Sequence, residues 1–286
     1  MSAPAAPSDE AAVATLLREQ DPDRALTTLF APPEARAGLQ ALYAFSGEIA
    51  RVRSLVSDPL PGEMRFQWWR DLLGGSARGA VEGHPVAAQL LSTLERFSLP
   101  RQPLIDLIEA RTFDLYDDPM PTVTDLEGYC GETASALIRL GSLVLANGRD
   151  PGGAEAAGHA GVAYAITGLL RAYPWHAQRG QLYLPADLMA THGLTRDAAL
   201  SGVTGPALAA VLAALRALAR HHLAETRARI GSVAPVLAPA FLPVALVEPL
   251  LARMELPDYD PFRTIIGLPP WRRLWVLWRA ARRSGL

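Results

Sequence analysis

Apolar side chains recur along this chain at three- and four-residue steps, and no stretch shows convincing two-residue alternation; the pattern restricts the chain to helices. The clearest run lies between Glu34 and Leu55, after Pro32-Pro33, where Leu39, Leu42, Tyr43, Phe45, Ile49 and Val52 share one face. Before it, the spacing predicts a short helix from Glu10 to Arg18, and Asp21-Pro22-Asp23 caps a second. After it, helices are predicted over Glu63 to Leu73, stopped by Gly74-Gly75, and near 86–97 and 101–116. Thr124 is read as the cap ahead of one long apolar helix from Leu126 to Ala146, stopped at Asn147-Gly148. Further helices fall at Gly158 to Arg171, 186–191, 205–229, 235–254 and 268–282. No internal repeat or low-complexity linker interrupts 20–280, so the expectation is a single all-α domain over 10–286 preceded by a disordered lead-in, 1–9.

The bulk numbers narrow the chemistry. Half of the 286 residues are hydrophobic, enough for a substantial core. A net charge of −2 argues against a nucleic-acid partner. All 27 basic residues are arginine, so a Schiff-base lysine and a P-loop lysine are excluded. The single cysteine, Cys130, excludes an internal disulfide and is read as a small buried residue. Met1 to Asp9 lacks the basic start and apolar centre of a signal peptide, and no run of about 18 apolar residues is expected to span a bilayer.

The stretch 168–185 joins an apolar helix ending at Leu170-Arg171 to a polar turn, Arg179-Gly180, and then to Tyr183-Leu184-Pro185. Upstream stand Tyr43-Ala44-Phe45, Met64 to Asp71 with Trp68 and Trp69, and Tyr129-Cys130. Together these resemble the signature segments of the squalene and phytoene synthases, and the resemblance covers nearly the whole chain. It implies an isoprenoid-synthase-type helical bundle, in which two Asp-x-x-x-Asp motifs hold magnesium against prenyl diphosphates. Here the acidic positions of the first motif fall on Ala50, Arg51 and Ser54, and its substrate-facing arginine on Gly47. Those of the second fall on Ala172 and His176, where Pro174 is expected to end the helix. Glu48 lies about 200° around the helix from position 50 and does not substitute. Magnesium prefers oxygen donors, so a histidine is a poor replacement. No cofactor is therefore expected, magnesium entering only if the chain is an active synthase.

Other acidic and histidine pairs have plain readings. Asp114 and Asp118 have the four-residue spacing, but Pro119 places Asp118 at a helix end, and the cluster is read as solvated. Asp258 and Asp260 before Pro261 read as a turn, and His221-His222 as adjacent rings near solvent that point apart. Trp68 and Trp69 read as packing residues. Near the C-terminus Trp271, Trp275 and Trp278 share a helical face flanked by arginines; packing onto the bundle accounts for the spacing, and a membrane headgroup region is the alternative.

Gly168-x-x-Arg171-Ala172-x-Pro174-x-His176, Phe45-x-x-Glu48 and the later His192-Gly193 resemble one noncatalytic branch of the family, the phytoene-synthase-like assembly factors of respiratory complex I. The resemblance implies protein clients in NADH dehydrogenase assembly and a cytoplasmic place, with peripheral contact to the inner membrane as a further option. Two other readings stay open: an active prenyl transferase using Glu48, Asp114 or Glu132, and a metal-independent isoprenoid or lipid binder. The candidate cavity residues are Tyr43, Arg51, Tyr129, Arg171, His176, Arg179 and Tyr183, with Arg51, Arg171 and Arg179 as the candidate anion site and His176 as a structural histidine.

Overall fold

A computed structural model describes residues 9–76 and 83–283. Residues 1–8 of the expected lead-in lie outside the described residues, while Asp9 already opens the first helix. Among the described residues the chain is helical and contains no strand.

Helices α1 (Asp9–Gln20) and α2 (Pro22–Thr28) meet at Asp21, whose side chain accepts a hydrogen bond from the Arg24 backbone N–H at 2.9 Å. The long helix α3 (Pro33–Leu55) is the centre of the bundle and packs against α1. Its predicted inward face is inward: Leu39, Leu42, Tyr43, Phe45, Ile49 and Val52 are all buried. Each fully buried apolar side chain of this size stabilises the fold by about 1.5–3 kcal/mol. Helix α4 (Pro59–Gly74) ends where Gly75 adopts φ of 78°, and places Phe66 and Trp69 against the core. Phe45 meets Trp69 edge-on at 5.1 Å, so the packing reading of Trp69 holds.

Helices α5 (Pro85–Arg96) and α6 (Gln102–Thr112) follow, and a 3₁₀ turn, Phe113–Leu115, finishes the latter. The helix expected from Leu126 to Ala146 is not continuous. It comprises α7 (Val123–Cys130), a π-helical segment (Gly131–Ser135) and α8 (Ala136–Leu145). Its cap is Thr122 rather than Thr124: the Thr122 hydroxyl accepts from the Asp125 N–H, and Asp125 accepts from the Thr122 N–H. The π segment lets α9 (Ala154–Arg171) come close. A Cβ on Gly161 would lie 2.3 Å from Ser135 backbone and side-chain atoms, so only glycine fits.

Two short helices were not foreseen, α10 (Tyr173–Gln178) and α12 (Arg196–Leu200), on either side of the expected α11 (Ala186–Thr191). Helix α13 (Pro206–Arg229) runs along α9. The helix expected over 235–254 is broken into 3₁₀ turns, α14 (Ala238–Phe241) and α15 (Val247–Arg253). Pro235, Pro239 and Pro243 each remove a backbone donor at four-residue intervals, which accounts for the breaks. Contrary to expectation, Pro206–Ser232 and Pro235–Arg253 are long and apolar enough to cross a membrane by length and composition. In the bundle much of that apolar surface faces the core, through Leu208, Val211 and Leu223 from one and Phe241, Val247 and Leu251 from the other. Helix α16 (Pro270–Arg283) closes the chain against Leu242–Leu246 and α2.

Candidate functional site

The two ends of the site are α3 and the α9–α10 junction. On α3, Tyr43 is buried, whereas Ala50, Arg51 and Ser54 are exposed, and the Ser54 hydroxyl donates to the Arg51 carbonyl at 2.7 Å. Gly47 faces Gln20: a Cβ there would lie 2.9 Å from Gln20 Oε1. Gln20 thus fills the space that a side chain at position 47 would enter, and its amide is buried with no protein partner.

At the other end, α9 stops at Arg171, with Ala172 as its C-cap. Pro174 lies in the first turn of α10, where a missing N–H costs nothing. Arg171 Nε donates to the Ile266 carbonyl at 2.9 Å, and Nη1 to Asp23 Oδ2 at 2.9 Å. Asp23 Oδ1 is 2.9 Å from Arg273 Nε. The Asp23 side chain is 8% exposed, so its carboxylate sits enclosed between two guanidiniums from α9 and α16.

A second polar cluster gathers the candidate residues Tyr129 and Tyr183 around Asp114, together with Arg111, which sequence reasoning missed. Asp114 is buried, not solvated; only Asp117 and Asp118 of that acidic run are exposed. The 3₁₀ turn after α6 rotates Asp114 inward, where its Oδ1 accepts from Tyr129 and Tyr183 hydroxyls, each at 2.8 Å. Arg111 Nη1 donates to Asp114 Oδ2 at 2.9 Å and to the Tyr129 hydroxyl at 2.7 Å. Burial opposes the charge on Arg111, yet Tyr129 and Asp114 beside it hold its pKa above the ordinary value. Burial also pushes both tyrosines up. The His176 ring packs 4.6 Å from Tyr183, and burial, only partly offset by Asp114, lowers its pKa to about 4. It is therefore a neutral, packed ring at pH 7.

A third group surrounds Arg24, whose guanidinium lies 5.3 Å from the Tyr43 ring and 5.0 Å from that of Tyr164. Burial pushes Tyr43 up to about 12 with Arg24 opposing, and the Tyr43 hydroxyl is buried without a protein partner.

The structure thus joins Tyr129, Tyr183 and His176, but not the three arginines. Arg171 is paired with Asp23, which Arg273 shares, while Arg51 and Arg179 are exposed. The alternative carboxylates do not converge either. Asp114 is committed to Arg111 and the tyrosines. Glu48 borders a groove with Arg65, Trp68 and His84, and Glu132 lines another with Ser135 and Arg139, where burial and nearby Asp106 raise its pKa. The His221-His222 reading also changes: His222 is buried, with Nδ1 2.9 Å from His159 Nδ1 and Nε2 2.7 Å from Glu127. The signals for the missed residues were present but ambiguous: Asp23 looked like a cap, and Pro119 suggested a solvated turn around Asp114.

Ala50, Arg51, Ser54, Ala172 and His176 offer no carboxylate, so this donor set does not fit magnesium. Among the described residues no three His, Cys, Asp or Glu side chains gather where they could hold a metal ion.

The bundle has the isoprenoid-synthase type of all-α fold, as its likeness to solved structures shows. A dehydrosqualene synthase crystal structure matches it with a TM-score of 0.76 at 18% identity, covering 96% of both chains. The squalene synthase of Alicyclobacillus acidocaldarius matches with a TM-score of 0.72 at 22% identity, covering 86% of this chain and 92% of that one. The chain belongs to the squalene/phytoene synthase family, whose model matches residues 17–279. It is 31% identical to NADH dehydrogenase (ubiquinone) complex I assembly factor 6 of Rattus norvegicus over 91% of this chain and 78% of the relative. It is 28% identical to the phytoene synthase of Thermus thermophilus over 95% and 92% of the respective chains.

Proposed function

We propose that this protein is a non-catalytic member of its family that assists the assembly of respiratory NADH dehydrogenase, with subunits of that enzyme as clients. It works without a metal cofactor, in the cytoplasm beside the inner membrane where its client is built. The observation that carries this reading is the Asp23 carboxylate between Arg171 and Arg273: the arginine retained from the family's second motif is satisfied by the protein itself. The absence of carboxylates at 50, 51, 54, 172 and 176 supports it, as does the likeness to the assembly factors. Without paired acids, a departing diphosphate lacks the divalent ions that stabilise its charge.

Incubation with farnesyl or geranylgeranyl diphosphate and magnesium is expected to give no condensed product; turnover to one would overturn the proposal. Deletion of the gene is expected to lower the amount of assembled NADH dehydrogenase, and unchanged assembly would refute the client assignment. The competing synthase reading loses support because Glu48, Asp114 and Glu132 stand in different surroundings and none contacts Arg171. A metal-independent isoprenoid or lipid binder is favoured by one observation, the unpartnered buried Tyr43 hydroxyl and Gln20 amide. It requires a lipid that co-purifies with the native chain and declines in an Arg171→Ala variant.

A further inference from the structure

The outward face of α16 carries a row of exposed apolar side chains that the packing of the bundle does not explain. Trp271 is 72% exposed, Trp275 50% and Trp278 45%, and Leu274 lies among them at 48%. The packing explanation for the tryptophan spacing therefore fails. The helix is held to the bundle by its opposite face, through Leu277, which is fully buried, Val276, Ala280 and Ala281, and by Arg273 on Asp23.

We propose that this face docks on an anionic lipid bilayer, with its tryptophan rings at headgroup depth. The charge pattern selects that occupant. The helix has five arginines, of which Arg273 is turned inward onto Asp23, and no acidic residue. Arg279 lies 5.2 Å from the Trp275 ring and Arg282 4.6 Å from that of Trp278, so the cations sit on the apolar stripe itself. Indole rings with a wet edge suit the headgroup boundary, and guanidiniums beside them reach lipid phosphates. A second copy seated on this face by two-fold symmetry would bring two arginine-rich, acid-free helices together. Anionic lipid neutralises the same charges. The inference rests on the surface of α16 and is independent of any client.

Flotation of the full chain tests it, using vesicles of phosphatidylcholine alone and vesicles containing a third phosphatidylglycerol. The protein is expected to float with the anionic vesicles and not the neutral ones, with blue-shifted tryptophan emission, and to be released by salt. The Trp275→Ala/Trp278→Ala and Arg279→Glu/Arg282→Glu variants are expected to keep the wild-type melting profile and lose at least about tenfold in partitioning. No partitioning of the wild type, or equal partitioning into both vesicle types, would overturn the proposal. So would tryptophan variants that bind as wild type does. A wild-type dimer that the Trp275→Ala/Trp278→Ala variant converts to monomer, without vesicle binding, would assign the face to a second copy instead.

Discussion

Arg171 Nη1 and Asp23 Oδ2 lie 2.9 Å apart although 148 positions separate them in the chain. This contact ties α2 to the end of α9, and Arg273 extends it to α16. Asp23→Ala leaves two guanidiniums facing each other without an anion, and is expected to destabilise the fold by about 2–4 kcal/mol in urea unfolding, with Asp23→Asn milder. The same variant frees both arginines. Inorganic pyrophosphate is expected to raise the melting temperature of Asp23→Ala while leaving the wild type unchanged.

The Asp114 carboxylate is the acceptor for three donors and has few ways to be replaced. Asp114→Ala strands Arg111 and the Tyr129 and Tyr183 hydroxyls in the interior, and is expected to cost about 3–5 kcal/mol. Tyr183→Phe removes one of those bonds without leaving Asp114 unpartnered, and is expected to cost about 1 kcal/mol. Parallel urea titrations check both.

His176 makes stability depend on pH. Its folded pKa of about 4 lies below the usual histidine value near 6.5, so between these limits the unfolded chain binds more protons. Its contribution is fully present above the unfolded pKa and declines as pH falls from about 6.5 to about 4. The difference in stability between wild type and His176→Phe is therefore expected to vary across that window and to be flat above it, as followed by thermal melts.

Gly161 faces Ser135 of the π-helical segment with no room for a methyl group. Gly161→Ala is expected to cost at least about 2 kcal/mol, despite the better helix propensity of alanine. Gly168→Ala, whose Cβ would meet nothing within 4 Å, is expected to leave stability unchanged or raised by up to about 1 kcal/mol. Thermal melts of the pair separate steric crowding from helix propensity.

Much of the fold was legible because helix-forming faces are local. The apolar steps in α3, the Asp21 cap and the Gly75 and Asn147-Gly148 stops all stand where the sequence places them. Errors came where tertiary context overrode local pattern. A π-helical segment interrupted the run after Cys130, and prolines at regular intervals hid inside an apolar stretch read as one helix. Site residues followed the same rule. Tyr129, His176 and Tyr183 do meet, but Arg51 and Arg179 remain outside.

The sequence by itself determined that the chain is helical, that arginine is its only permanent cation, and that the motif positions carry no acid. These are properties of residue type and spacing, which need no third dimension. Only the tertiary structure decided that Asp23 pairs with Arg171 and Arg273, that Asp114 turns inward to two tyrosines, and that the tryptophans of α16 face outward. Such outcomes depend on which elements meet across long stretches of chain, and a charge or an indole ring reads the same in sequence whether its partner is water, a distant side chain or a lipid.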